Sequence, residues 1–154
     1  MKKSLIAIGG LFAFVFGLVP LSFSSQLHPS PLEGKTSNGI PYLSGGVGLD
    51  ERETLQAMGT EDNLKLIFAL KRGNYLSDVD VRITDAAGHK VLAVISQGPW
   101  FFTRLPAGQY TVTATAMGET LQRGVHLASE GQTQLHFTWN GSTLENRDHP
   151  WTEQ

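Results

Sequence analysis

Residues 101–116 read FFTRLPAGQYTVTATA, and residues 78–85 read DVDVRITD. In the first, Tyr110, Val112, Ala114 and Ala116 alternate with polar positions; in the second, Val79, Val81 and Ile83 alternate with Asp80, Arg82 and Thr84. A period of two with one apolar face is the mark of a half-buried strand. Between the aromatic run and the threonine-rich run lies LPAGQY. Pro106 sets φ, Gly108 can take the positive φ of a tight turn, and Leu105 and Tyr110 flank them as anchors for a core. The segment is a folding device and carries no chemistry of its own.

Working outward, apolar runs recur at 64–70, 91–97, 99–105, 119–127 and 132–139. They are separated by Lys71 to Asn74, Ala86-Ala87-Gly88, Gln97-Gly98-Pro99, Met117-Gly118 and Glu130-Gly131. Seven short strands with such turn signals predict an all-β, seven-stranded antiparallel sandwich over residues 60–140, with Val81, Ile83, Leu105, Tyr110, Val112, Leu135 and Phe137 inside. No helices lie between the strands to carry parallel crossovers.

Before the strands, residues 49–59 hold the helical pattern LDERETLQAMG, with Asp50 and Glu53 spaced as a capping box, Gly59 as a stop, and Leu55 and Met58 as a small apolar stripe. A helix this short needs something to dock on. Residues 25–48, rich in Pro, Gly and Ser, read as an exposed lead-in, and residues 141–154 as a tail. Residues 1–24 have a Lys2-Lys3 start, an apolar run from Leu5 to Val19, and small residues after Pro20, which reads as a signal peptide. The run is close to the minimum for a membrane span, so cleavage and retention as an anchor both remain open, with Pro20 and the serines favouring cleavage.

The whole chain has 12 Lys and Arg, 14 Asp and Glu and no Cys. Without Lys2 and Lys3 the formal charge moves from −2 to −4. A mildly acidic exported chain argues against nucleic acid or an anionic lipid surface as partner. The lack of Cys rules out a disulfide framework and a lipidated N-terminal cysteine. The expected location is periplasmic or secreted, with no stable membrane anchor after cleavage.

The stretch VDVRITDAAGHKVLAVISQGPWFFTRLPAGQYTVTATA resembles the carboxypeptidase regulatory-like domain, a transthyretin-like sandwich used as an accessory module in exported proteins. Asp85 to Gly88 match its D-x-x-G turn, and Leu105, Pro106, Gly108, Tyr110 and Val112 match its L-P-x-G-x-Y-x-V pattern. The likeness covers about residues 62–139. Gln97-Gly98-Pro99 departs from the Asp-Gly turn usual before the aromatic strand. The resemblance implies architecture and brings no shared catalytic residues. With the family spacing, Trp100 and Phe102 point inward, an irregularity precedes Leu105, and Phe101 faces out. The helix is then expected to cover Phe101; left bare, Phe101 is the candidate partner contact.

Chemical candidates are sparse. For GGVG at 45–48 no leading strand is expected and no Lys-Ser/Thr follows, and acidic Asp50 and Glu51 come next. No Gly-x-Ser-x-Gly is present. The hydrolase hosted by the transthyretin fold ends in Tyr-Arg-Gly-Ser, which this chain lacks at Trp139 to Ser142. His126 and His136 share parity in what reads as a terminal hairpin; with 126 opposite 134 they would be diagonal neighbours at about 7–8 Å. A usual metal site needs further ligands, and none is evident. No catalytic residue and no cofactor are therefore expected. The favoured expectation is an exported, non-catalytic module that binds a protein or envelope component. The alternatives are a carbohydrate-binding module using Trp100, Trp139, Trp151 or Tyr75, and a metal-binding or hydrolytic transthyretin-like protein.

Overall fold

The computed structural model describes residues 31–141. The predicted signal peptide and nearly all of the predicted tail lie outside the described residues. Nine strands and one helix follow in order: β1 Leu32–Lys35, β2 Pro41–Gly45, α1 Leu49–Met58, β3 Leu64–Leu70, β4 Val79–Asp85, β5 Lys90–Ser96, β6 Trp100–Thr103, β7 Gly108–Ala116, β8 Glu119–Leu127 and β9 Thr133–Trp139. A single 3-10 turn, Gly59–Glu61, follows α1. Two sheets form, one ordered β1-β2-β6-β3-β9 and the other β5-β4-β7-β8. The described residues are all-β in class, with two sheets and one short helix. No helix among the described residues is long and apolar enough to cross a membrane.

The seven predicted strands are all present as β3 to β9. Two expectations are corrected. The lead-in is not loose: its residues 32–45 form the antiparallel hairpin β1–β2, and β2 adds to the free edge of β6 with Ser44 opposite Phe101. The strand count among the described residues is therefore nine. The pairing is also not wholly antiparallel, because β9 lies parallel to β3, Leu66 opposite Leu135 and Phe68 opposite Phe137. Residues 128–132 carry the chain from one sheet to the other, so β8 and β9 are not partners in a hairpin.

The core between the sheets joins Leu64, Leu66, Phe68, Val79, Val81, Ile83, Phe101, Leu105, Tyr110, Val112, Phe137 and Trp139, with Leu135 half-buried against it. The sides are closed by polar links. On one, the Trp139 indole N–H donates to Glu119 O at 3.1 Å. On the other, Ser44 and Ser96 hydroxyls meet at 3.0 Å, Gln97 N–H donates to Ser44 Oγ at 2.8 Å, and Ser96 Oγ donates to Gly98 O at 2.6 Å. Buried hydroxyls are tolerated because each finds a partner. The β7–β8 hairpin turns on Met117 and Gly118, both at positive φ (54° and 78°), which matches the two-residue turns whose twist suits paired strands.

The LPAGQY segment anchors as expected through Leu105 and Tyr110. Gly108 is not among the positive-φ residues; the turn is closed instead by Tyr110 Oη donating to Pro106 O at 2.8 Å. Asp85 organises its turn by accepting from the N–H groups of Ala87 and His89, each at 2.9 Å. Those backbone hydrogen bonds, led by that from His89, hold its carboxyl below the ordinary carboxylate value.

Candidate functional site

The parity of β6 is the reverse of the expectation. Phe101 is fully buried between the sheets, stacked on Tyr42 with centroids 5.4 Å apart. No irregularity intervenes before Leu105: positions 101, 103 and 105 all face inward, and Thr103 donates to Pro41 O at 2.8 Å. Phe101 is thus a core residue and not a surface contact. Trp100 and Phe102 point to the outer face, where α1 covers them. The helix does dock on the outside of this sheet, but on the neighbours of Phe101. Alternation could not decide the matter because both faces of the strand are covered.

α1 seats on this face through its stripe at Glu51, Leu55 and Gly59. A Cβ on Gly59 would collide with the Phe102 ring, so the helix ends directly against it. The N-cap is Gly48 rather than Asp50, with no side-chain cap. Glu51 takes over part of that role from inside the first turn, accepting from Val47 N–H at 3.0 Å. A carboxylate belonging to the chain therefore fills the N–H site of the GGVG segment.

Beneath the helix sits Lys65, only 5 % exposed on β3. Its Nζ lies 3.6 Å from the centroid of Trp100 and 5.0 Å from that of Phe102, and donates to Gln56 Oε1 at 2.6 Å. No carboxylate among the described residues pairs with it. Aromatic faces attract a cation more strongly when water is excluded. Desolvation nevertheless pulls the ammonium below its ordinary pKa. Next to it the Trp100 indole Nε1 is buried and has no hydrogen-bond partner. A buried donor left unmade costs about 1–3 kcal/mol, so this atom stands out.

Leu49, Arg52, Glu53, Gln56 and Ala57, spaced three and four apart on one side of α1, line a groove of about 540 Å³ with Thr60 of the following turn and Trp100. Arg52 rests 5.1 Å from the centroid of the exposed Tyr75 and donates to Gly46 O at 3.4 Å. The groove is open and mostly apolar, with polar groups along its rim.

The other candidates disperse. His126 is exposed on β8 opposite Gln109, while His136 is exposed on β9 opposite Ile67, in the other sheet. The parity shared by the two histidines does not bring them together, because the assumed hairpin does not exist. Among the described residues no group of three or more His, Cys, Asp or Glu is placed to hold a metal. Trp139 is in the core, on the same strand face as Leu135 and Phe137, and Trp151 lies outside the described residues. The exposed Tyr75 and the half-buried Trp100 each have one ring face occupied by a cation of the chain.

A second groove, about 520 Å³, runs between the β1–β2 hairpin and the end of α1, lined by Tyr42, Leu43, Met58 and Asp62 among others. Burial raises the Asp62 pKa from 3.8 to about 6, against the lowering effect of Arg104. The folded protein then binds a proton that the unfolded chain has already lost, so stability contributed by this group is present below pH about 4 and is lost as pH rises to about 6. Asp62→Asn is expected to melt higher than wild type at pH 7, with the gap closing below pH 4. Melting curves across pH 3–8 test it, and parallel curves for the two proteins would refute it.

The described residues form two β-sheets with a helix-lined groove on one outer face. No family model matches the chain, and no curated protein matches it in sequence.

Proposed function

We propose that the chain is an exported, non-catalytic β-sandwich module, of carboxypeptidase regulatory-like or transthyretin-like architecture, that binds a partner protein or envelope component through the α1 groove. The observation that carries this reading is the groove itself: an apolar floor of Leu49, Ala57 and Trp100 beside two under-partnered donors, Lys65 Nζ and Trp100 Nε1. Folds of this kind carry function in surface sites, so these residues support the reading and the sandwich alone does not. The charged start and apolar run of residues 1–24 support export, to the periplasm or outside the cell. The family likeness rests on β3 to β9 with the D-x-x-G and LPAGQY turns; β1–β2 is an addition to that frame.

Ala57→Arg places a bulky cation across the groove on an exposed helical position, where it should change stability by less than about 0.5 kcal/mol. The expected outcome is that envelope partners cross-linked by wild type in the expressing cell are lost from this variant, while a charge placed at Ile95, exposed on β5, leaves them in place. Equal recovery by both variants would remove the groove from the reading. An enzyme reading is favoured by no particular observation.

A further inference from the structure

Resting on that reading, we propose that the groove takes an acidic side chain flanked by apolar ones on the partner protein, its carboxylate displacing Gln56 from the Lys65 ammonium and reaching the Trp100 indole N–H. The chain supplies two adjacent donors here and only one acceptor. Lys65 Nζ has the carboxamide oxygen of Gln56 and the π faces of Trp100 and Phe102, and Trp100 Nε1 has no acceptor. The one side-chain acceptor that Lys65 has lies at the surface, because Gln56 is an exposed residue of α1. Rotation of its side chain would release the ammonium from that hydrogen bond. A carboxylate in its place makes an ion pair with Lys65 where Gln56 offers only a dipole, and it gives the neutral Trp100 N–H a charged acceptor; a hydrogen bond with one ionised partner is about twice as strong as a neutral one.

The surroundings define the rest of the ligand. Leu49, Ala57 and the Trp100 ring accept apolar groups on either side of the carboxylate. Glu53, on the rim of the same helix side, repels a second negative charge, so one acid between apolar neighbours fits better than an acidic run. Arg52 is engaged with Gly46 O and the Tyr75 ring and is not needed for the contact.

The test is a titration of the full chain, ¹⁵N-labelled as recovered from the expressing cell, with the capped peptides acetyl-Leu-Glu-Leu-amide and acetyl-Leu-Gln-Leu-amide. The Trp100 indole N–H signal is assigned by its absence from Trp100→Phe. The Glu peptide should move that signal downfield, the direction of a newly accepted hydrogen bond, and bind about tenfold more tightly than the Gln peptide. Gln56→Glu plants a carboxylate at the same place. It should show the downfield indole signal without peptide and bind the Glu peptide at least about tenfold more weakly, with its higher melting temperature marking an intact fold. Equal binding of the two peptides overturns the proposal, as does an indole signal that neither peptide nor Gln56→Glu moves. Hexanoate binding as tightly as the Glu peptide assigns the site to free amphipathic acids and overturns the protein partner. If Ala57→Arg loses its cross-linked partners while the Glu peptide leaves the indole unmoved, the acidic ligand falls and the groove reading stands. If the Glu peptide binds as expected while partner recovery is untouched by Ala57→Arg, the carboxylate site stands and the groove falls as the place where the partner docks.

Discussion

Phe101→Ala is expected to destabilise the protein by about 3–5 kcal/mol, the range for deleting a fully buried aromatic ring. The ring has no exposed surface, faces Leu66 across the β3–β6 pair, and stacks on Tyr42 at an interplanar angle of 16°. Tyr42 belongs to the β1–β2 hairpin, and its own ring lies over Gly34 in β1, where a Cβ would collide with it. Phe101 therefore joins two things: the core between the sheets and the hairpin added to the sheet edge. Its loss should open the hairpin first, so amide exchange should accelerate at Leu43 more than at Val112 in the second sheet. Ile95→Ala, at a position 61 % exposed, sets the scale for an apolar truncation outside the core and should cost less than about 0.5 kcal/mol. Urea unfolding of the three proteins decides it. A cost for Phe101→Ala no greater than for Ile95→Ala would restore the outward-facing ring that the family spacing implies.

The strands that were legible in the sequence are those whose signal is local. From β3 to β9, period-two alternation and turn residues locate each strand to within two residues, and the hairpin turn at Met117-Gly118 reads directly from its chemistry. Features that depend on distant partners were not legible. LEGK and PYLSG are too short and too rich in Gly and Pro to read as strands; they pair because β6 presents a free edge more than fifty residues later. The run WFF offers apolar side chains to both faces, and only the docked helix explains why the two outer ones need cover. The parallel pairing of β9 with β3 leaves no trace in alternation. The placement of His126 and His136 failed for the same reason, since parity is meaningful only within one sheet. The groove had one local trace: a lysine within the apolar run LKLIFAL, where the cover on both strand faces leaves Lys65 only its tip near the surface, at Gln56. Its meaning depends on Gln56 and Trp100, which arrive from α1 and β6 and which no spacing brings together.

Asn63→Leu is expected to cost about 2–4 kcal/mol, because it strips the partners from two buried backbone groups at once. Asn63 precedes β3 and is 4 % exposed. Its Nδ2 donates to Leu105 O at 2.8 Å and to Ala128 O at 3.1 Å, while its Oδ1 accepts from Leu105 N–H at 3.0 Å. One carboxamide thus pairs both main-chain groups of the residue that opens the LPAGQY turn, and also holds the crossing between β8 and β9. Leucine matches its size but offers neither donor nor acceptor. Ala128, an exposed residue, can recover a hydrogen bond from water; the buried Leu105 has no such route. Gln132→Leu provides the contrast. Its Nε2 also donates to two carbonyls, Gly59 O at 2.8 Å and Asp62 O at 2.9 Å, but from an exposed position, and the buried Gly59 O keeps the Asp62 N–H at 3.2 Å, so its loss should cost less than about 1 kcal/mol. The effect on the turn is separable from global stability: under native conditions the Leu105 amide should lose protection in Asn63→Leu by more than the global change accounts for, as the turn opens by itself. A Leu105 amide that exchanges only at the rate of global unfolding in that variant would mean that the turn is held by Pro106 and the Tyr110 hydroxyl without help from Asn63.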